Sequence, residues 1–303
     1  MAVKTVQYIF NGQTYNLTLN RDTGKYEAVV TAPSKSSYSQ PGNKYGGTVK
    51  AIDDAGNTTT VTQADGGVGE NLKLRVLEKT PPVITITYPT ESGAITNNKP
   101  VITWKVTDND SGVDQNTIGI TIDSEMKITG ESIHKEKIQD GYQCSYTPLE
   151  ALGDGSHTIK VDASDYDGNA AEQRTVSFKV DTVPPALNVT SPEEGHVYGN
   201  TNIKLSGNTN DATSSPVTVS YQINSGEIKA INVQPNGEFN ETIKANDGNN
   251  TLTITARDSA GKETIITRRF TIDTGAPVIQ SIKITPNPVD TGATFIISVE
   301  VTD

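Results

Sequence analysis

Acidic side chains are the first candidates for a functional site in this chain. The sequence holds 36 Asp and Glu against 25 Lys and Arg, for a formal net charge of −11, and most of the excess lies in residues 81–183. Five carboxylates in that segment follow alternating, strand-like runs: Asp108, Asp110, Asp114, Asp165 and Asp167. Carboxylate oxygens are the hard ligands that Ca²⁺ requires.

These five carboxylates predict a calcium site if the two loops that carry them share one pole of a β-sandwich. We expect that pole to face the preceding domain, where backbone carbonyls near Glu78 would add oxygen ligands. The spacing is not that of an EF-hand, because Gly112 stands where the third ligand belongs. In the alternative interpretation, each Asp caps a turn by accepting hydrogen bonds from its own backbone. A weaker form of the same pattern occurs in residues 184–275, with Asp211 and Asp258.

Catalytic motifs are missing from the sequence. His134, His157 and His196 are scattered, and no His-x-x-x-His, Gly-x-Ser-x-Gly or phosphate-binding Gly-rich motif occurs. The single cysteine, Cys144, excludes an intramolecular disulfide, and its alternating surroundings predict a buried small hydrophobe without a redox role. We therefore predict a protein that is not an enzyme.

Two tyrosines are the remaining candidates for binding. Tyr38 and Tyr45 lie in a polar stretch over residues 34–45 that is rich in Ser, Gly and Asn, a composition that adaptable binding loops use. The sequence predicts that they are exposed and contact a cell-surface glycan or protein. A solvent-exposed loop without a ligand is the alternative.

The elements that would position these residues are all strands. Alternating runs of five to nine residues are separated by turn clusters, and no stretch carries a helical apolar stripe. Two landmarks recur: a Pro-containing boundary near residues 81, 184 and 277, and an Ala-x-Asp-x-x-Gly hairpin that starts at Ala51, Ala163 and Ala256. Repeats of about 90 to 100 residues with this strand spacing favour Ig-like sandwiches.

The landmarks divide the chain into four segments. Residues 1–80 are an Ig-like domain lacking its opening strands, 81–183 and 184–275 are complete Ig-like domains, and 276–303 are the first two strands of a further one. The predicted fold class is all-β, with tandem Ig-like β-sandwich domains in an elongated array. We expect the natural chain to continue beyond these ends and the first domain to fold on fewer strands. The alternative is head-to-tail self-association, in which 276–303 of one chain completes 1–80 of the next.

The charge and hydropathy of the sequence argue against nucleic-acid binding and against a membrane-spanning segment. The acidic balance argues against nucleic-acid binding, which needs a basic surface. No apolar run approaches the length of about 18 residues that crosses a bilayer. The first ten residues alternate like a strand, so we expect a virion protein made in the host cytoplasm without a signal peptide. The alternative is a fragment of a longer secreted chain at the bacterial cell surface.

Three features of the sequence resemble bacterial Ig-like repeats of large surface proteins and adhesins: the Thr-Pro boundaries, the Ser-Pro or Tyr-Pro pairs with a following Gly, and the Ala-x-Asp-x-x-Gly-Asn hairpin. With its N-terminal unit, the chain is also similar to Ig-like proteins of prophage tail regions. The resemblance implies a spacer or adhesive role without catalysis, and it supplies no functional residues.

From this resemblance we expect a structural and adhesive spacer that serves as an accessory phage-tail or virion surface protein. Its partners would be a cell-surface glycan or protein and other virion subunits, and Ca²⁺ is the one cofactor that the carboxylates suggest. The alternative is a stalk fragment of a bacterial cell-surface adhesin or of a secreted glycan-active enzyme.

Overall fold

The computed structural model describes residues 2–303, which fold almost entirely into β-strands. This confirms the predicted all-β class. Every strand pairing among those residues falls inside one of the four segments that the sequence delimits. The chain forms two compact units: the first runs up to Gly93 and from Asn98 to Lys179, and the second comprises Ala94–Asn97 and Val180–Asp303.

The first segment is one sheet, not two packed sheets, within its described residues. Its strands run in the order β3-β2-β1-β4-β5, with β6 pairing β4. Phe10 is buried in this segment and stacks on Tyr8 at 5.4 Å between ring centroids. The strands are β1 (Val3–Phe10), β2 (Gln13–Asn20), β3 (Lys25–Glu27), β4 (Tyr45–Asp53), β5 (Thr58–Thr62) and β6 (Lys73–Leu74), with short 3-10 helices at Pro41–Asn43 and Gly67–Leu72.

The second segment is a two-sheet sandwich whose inward positions alternate along each strand. In β9, Ile102, Trp104 and Val106 are fully buried while their neighbours are not, as expected for a strand with one face on the core. One sheet has the order β12-β13-β9-β7, and the other contains β11-β10-β14-β15. The strands are β7 (Val83–Tyr88), β8 (Ala94–Ile95), β9 (Ile102–Thr107), β10 (Val113–Ile122), β11 (Ile128–Thr129), β12 (His134–Ile138), β13 (Gly141–Tyr146), β14 (Gly155–Asp165) and β15 (Arg174–Val180), with a 3-10 turn at Gly130–Ser132.

The third segment repeats this sandwich with sheets β16-β18-β21 and β17-β23-β22-β19-β20. Its core packs Leu205, Phe239, Leu252, Ile254 and Phe270. The strands are β16 (Ala186–Ser191), β17 (Val197–Tyr198), β18 (Asn202–Asn210), β19 (Thr218–Ile223), β20 (Lys229–Ile231), β21 (Glu238–Lys244), β22 (Gly248–Arg257) and β23 (Glu263–Ile272).

The last segment is a hairpin of β24 (Val278–Thr285) and β25 (Ile296–Thr302). Its side chains are exposed on both faces, including apolar residues such as Phe295 and Ile296, at 54% and 69%. The hairpin therefore has no core of its own among the described residues.

The repeated Asp-x-x-Gly motif builds the same turn three times, at the β4–β5, β14–β15 and β22–β23 junctions. In the second segment, Asp165 Oδ1 accepts the Asn169 N–H at 2.8 Å. Gly168 has φ +92°, a conformation that favours glycine. The turn holds each Asp at the end of a central strand, and this fixes the position of the carboxylates described next.

Candidate metal centres

Three carboxylates meet at one pole of the second segment. Glu78, Asp108 and Asp165 each place an oxygen within 4.8 Å of the others. Asp108 follows β9, Asp165 ends β14, and Glu78 lies in the extended segment that leads into β7. The two loops predicted to share a pole do share it.

Local hydrogen bonds already occupy these carboxylates. Asp108 Oδ1 accepts the N–H groups of Asp110 and Gly112 at 3.0 and 2.8 Å. Both Asp165 oxygens accept from Asn169, the second from its side-chain amide at 2.7 Å. Glu78 Oε1 accepts the Ser111 N–H at 2.7 Å. This pole therefore contains the turn-capping bonds of the alternative interpretation.

Two of the other predicted ligands join the first segment to the second. Asp110 Oδ1 accepts the Ser36 N–H at 2.9 Å, and Asp167 Oδ2 accepts the Ser36 hydroxyl at 2.5 Å. The Asp167 side chain is 2% exposed, and its Oδ2 also accepts the Glu78 N–H at 3.1 Å. We call these contacts, together with the stacking of Tyr38 on Tyr166 at 4.1 Å between ring centroids, the Ser36 joint.

The five predicted calcium ligands therefore separate in the structure. Asp108 and Asp165 converge, Asp110 and Asp167 contact the first segment, and Asp114 accepts the Asn116 N–H at 3.0 Å in its own turn. The sequence predicted oxygen ligands from backbone carbonyls near Glu78. In the structure, the Glu78 carboxylate itself lies with Asp108 and Asp165. Calcium at these residues stays a prediction.

A second group of three carboxylates lies in the third segment. Asp181, Asp211 and Asp258 place oxygens within 4.8 Å of one another, and all three are buried. The sequence pointed to Asp211 and Asp258 but missed Asp181. The signal was present, because Asp181 and Glu78 each lie three residues before a Pro-Pro pair.

Tyr38 and Tyr45 are half-buried, so the prediction that they are exposed was wrong. Tyr38 stacks on Tyr166, a partner from another segment that alternation along one strand does not reveal. Tyr45 begins β4, and its hydroxyl donates to the Lys35 carbonyl at 3.3 Å. Their contact with a glycan or protein stays a prediction.

Cys144 is fully buried, as its alternating strand predicted. Burial raises the pKa of its thiol to about 11, against a smaller lowering by Lys135, so thiolate chemistry is suppressed. Among the histidines, His157 has a carboxylate partner, because its Nδ1 lies 2.6 Å from Asp123 Oδ2. No helix in the described part of the chain has the length and apolar character to span a bilayer.

Comparison with known families gives two matches, each to a different segment. Residues 79–182 match the bacterial Ig-like domain family, and residues 185–274 match domain B of glucodextranase. These ranges follow the second and third segments.

Among individual proteins, the chain is similar to chitinase ChiA of Flavobacterium johnsoniae, at 28% identity over 198 residues. This region is 63% of the present chain but 12% of the chitinase. Among solved structures, fibronectin(III)-like modules of Clostridium thermocellum CbhA align with 63% of the chain and 94% of their own, at 17% identity and a TM-score of 0.38. An I-band fragment of titin aligns with 89% of the chain and 88% of its own, at 15% identity and a TM-score of 0.43.

Proposed function

Because the chain is a tandem Ig-like protein, we propose that it is a non-enzymatic spacer from the stalk of a secreted glycan-active enzyme or a bacterial surface adhesin. The observation that carries this proposal is the match to a chitinase over 198 residues that make up 12% of that protein. The similarity is thus confined to a small part of a much longer relative. In the present chain, residues 79–182 match the bacterial Ig-like domain family, and such domains are typically non-catalytic modules.

The Ser36 joint supports a spacer role. A spacer holds its ends apart only if bending between neighbouring domains is restricted, and Ser36 is 1% exposed between two carboxylates of the next segment. Buried hydrogen bonds to charged groups are among the stronger polar contacts in proteins. The net charge of −11 also disfavours nonspecific association.

Small-angle scattering tests the spacer role directly. A compact globule of 303 residues has a radius of gyration of roughly 19 Å. We expect a value well above this, and a larger spread of dimensions when Asp167→Ala removes an acceptor of the Ser36 joint. A wild-type radius near that of a compact globule would contradict the proposal.

Adsorption to insoluble chitin and to peptidoglycan separates a spacer from a surface-contacting protein. As a spacer, the chain should stay in the supernatant at the level of an unrelated acidic protein. The virion alternative, with glycan contact through Tyr38 and Tyr45, instead requires depletion from the supernatant. If depletion occurs and Tyr45→Ala reduces it, the contact maps to the first segment and the spacer proposal fails in favour of adhesion.

Head-to-tail strand donation stays a prediction with its own test. The exposed apolar faces of β24 and β25 are what a donated hairpin would bury. Light scattering over a concentration series should show growth of the mass if donation occurs. A constant monomer mass would exclude it.

A further inference from the structure

The three clustered aspartates of the third segment are far more buried than acidic side chains usually are. Asp181 is 1% exposed, Asp258 is 5% and Asp211 is 9%. Charged carboxylates are rarely buried to this degree unless they are paired or coordinate a metal. The partners of their oxygens therefore decide what the group can do.

Three different parts of the segment bring these carboxylates together. Asp181 lies in the extended stretch before β16, Asp211 directly follows β18, and Asp258 follows the central strand β22. The Ser259 N–H donates to the Ser214 carbonyl at 3.0 Å, which ties the last two loops to each other. The convergence is thus built by the fold and does not come from one flexible loop.

Each carboxylate is held by a backbone donor on one oxygen. Asp181 Oδ1 accepts from Val183 at 3.2 Å, Asp211 Oδ1 from Ser214 at 2.6 Å, and Asp258 Oδ1 from Lys262 at 2.9 Å. The Oδ2 atoms of Asp181 and Asp258 are both buried and have no hydrogen-bond partner among the described residues. A buried acceptor without a donor is costly, and a buried charge without a counter-ion is more so.

We propose that Asp181, Asp211 and Asp258 bind Ca²⁺. Calcium takes six to eight oxygen ligands at about 2.3–2.6 Å, so two oxygens on opposite sides of one ion lie about 4.6–5.2 Å apart. The three carboxylates, within 4.8 Å of one another, fit a single coordination sphere. One divalent cation would both pair the two orphan oxygens and offset the mutual repulsion of three buried charges.

Calcium titration of the chelator-stripped chain tests the proposal. By isothermal calorimetry, Asp258→Asn should abolish one Ca²⁺ site or weaken it at least about tenfold, since a charged ligand is lost. Asp290→Asn, in the exposed loop of the β24–β25 hairpin, is the matched charge control and should leave binding unchanged. Wild-type protein that binds no Ca²⁺, or Asp258→Asn protein with the full stoichiometry, would overturn the proposal.

Thermal unfolding provides a second readout that does not depend on the variant binding anything. At a Ca²⁺ concentration about a hundred times its dissociation constant, the third segment should melt on the order of 10 °C higher. Without metal, Asp258→Asn should melt above the wild type, because one of three repelling charges is gone. Two results together would overturn the proposal: Ca²⁺ leaves the melting temperature of the wild type unchanged, and metal-free Asp258→Asn melts below the wild type. They would show that the carboxylates only cap turns.

Magnesium separates calcium from divalent cations in general. Mg²⁺ requires a smaller octahedral shell and retains its water, so a buried carboxylate group should bind it more weakly. We expect MgCl₂ to raise the melting temperature less than CaCl₂ does at equal concentration. An equal or larger effect of Mg²⁺ would contradict the calcium assignment.

Discussion

The second and third segments place carboxylates at the same three positions, yet the two groups differ in what their oxygens contact. Glu78 and Asp108 lie 103 residues before Asp181 and Asp211, and Asp165 lies 93 residues before Asp258. In the second segment, a side-chain amide reaches the second Asp165 oxygen. In the third, the second Asp258 oxygen has no hydrogen-bond partner among the described residues.

One hairpin residue accounts for much of this difference. Asn169 donates both its backbone and its side-chain N–H to Asp165, and Asn57 does the same to Asp53 in the first segment. The third segment has Lys262 at this position, and its backbone N–H alone reaches Asp258 Oδ1. Counting carboxylates therefore does not define a metal site; the donors around each oxygen do.

A second difference concerns the carboxylates beside each group. Asp110 and Asp167 of the second segment form the Ser36 joint. The corresponding residues of the third segment are Thr213 and Ala260. The pole of the second segment thus holds the first segment through charged acceptors. The pole of the third segment instead carries its charge in three buried aspartates.

The largest expected effect comes from breaking the Ser36 joint. Asp167→Ala leaves the Ser36 hydroxyl and the Glu78 N–H without their acceptor, which should lower the free energy of unfolding of the first unit by about 2–4 kcal/mol. Urea denaturation should show that transition move while the transition of the second unit stays in place.

Asp114→Ala is the matched control for this prediction, because Asp114 accepts a single backbone N–H in its own turn. Its cost should be less than about 1 kcal/mol. Equal effects of the two variants would show that the joint does not stabilise the first unit.

Much of the fold could be predicted because it depends on local patterns. Alternation placed Cys144 in the core, and the Asp-x-x-Gly turns appeared where the sequence put them. The single sheet of the first segment was not predicted, since the number of sheets depends on which strands pair and not on alternation.

The candidate sites were predicted less well, and for a physical reason. The sequence predicted that the loops carrying Asp108 and Asp165 share a pole, but not that Asp110 and Asp167 would contact Ser36. Such contacts are set by long-range packing. Which carboxylate oxygen keeps a donor is decided by a few ångströms in a turn, and composition carries no information on that scale.

Exchanging the hairpin residue tests the comparison most directly. Lys262→Asn should give Asp258 Oδ2 the amide donor that Asp165 already has, which stabilises the metal-free third segment by about 1 kcal/mol. The same amide would compete with a cation, so the calcium affinity should fall. Melting curves and calorimetric titrations with and without Ca²⁺ measure both effects.

The reciprocal exchange, Asn169→Lys, is the control in the second segment. It removes the donors to Asp165 Oδ2 and to the Glu78 carbonyl, so metal-free stability should fall there. If Lys262→Asn neither stabilises the third segment nor weakens calcium binding, the hairpin residue does not control the site.

The smallest expected effect is a pH dependence of the stability of the second segment, which comes from His157. Burial lowers the pKa of His157, but hydrogen bonds to Gly153 and Asp123 and the charge of Asp123 outweigh it, so the pKa lies above its usual 6.5. Both ring nitrogens face acceptors, at 2.6 and 2.7 Å, an arrangement that only the protonated ring satisfies. The third segment has the neutral amides Asn224 and Asn250 at these positions, and they bond to each other at 3.1 Å.

A raised folded-state pKa means that this stabilisation is complete below about pH 6.5 and is lost as the pH rises through the folded-state value. The stability of the second segment should therefore decline by less than about 1 kcal/mol between about pH 6 and pH 8.5. Asp123→Asn should flatten the decline, because the amide removes the charge that favours the imidazolium. A decline that persists in this variant would assign the pH dependence to another group and would end this part of the comparison.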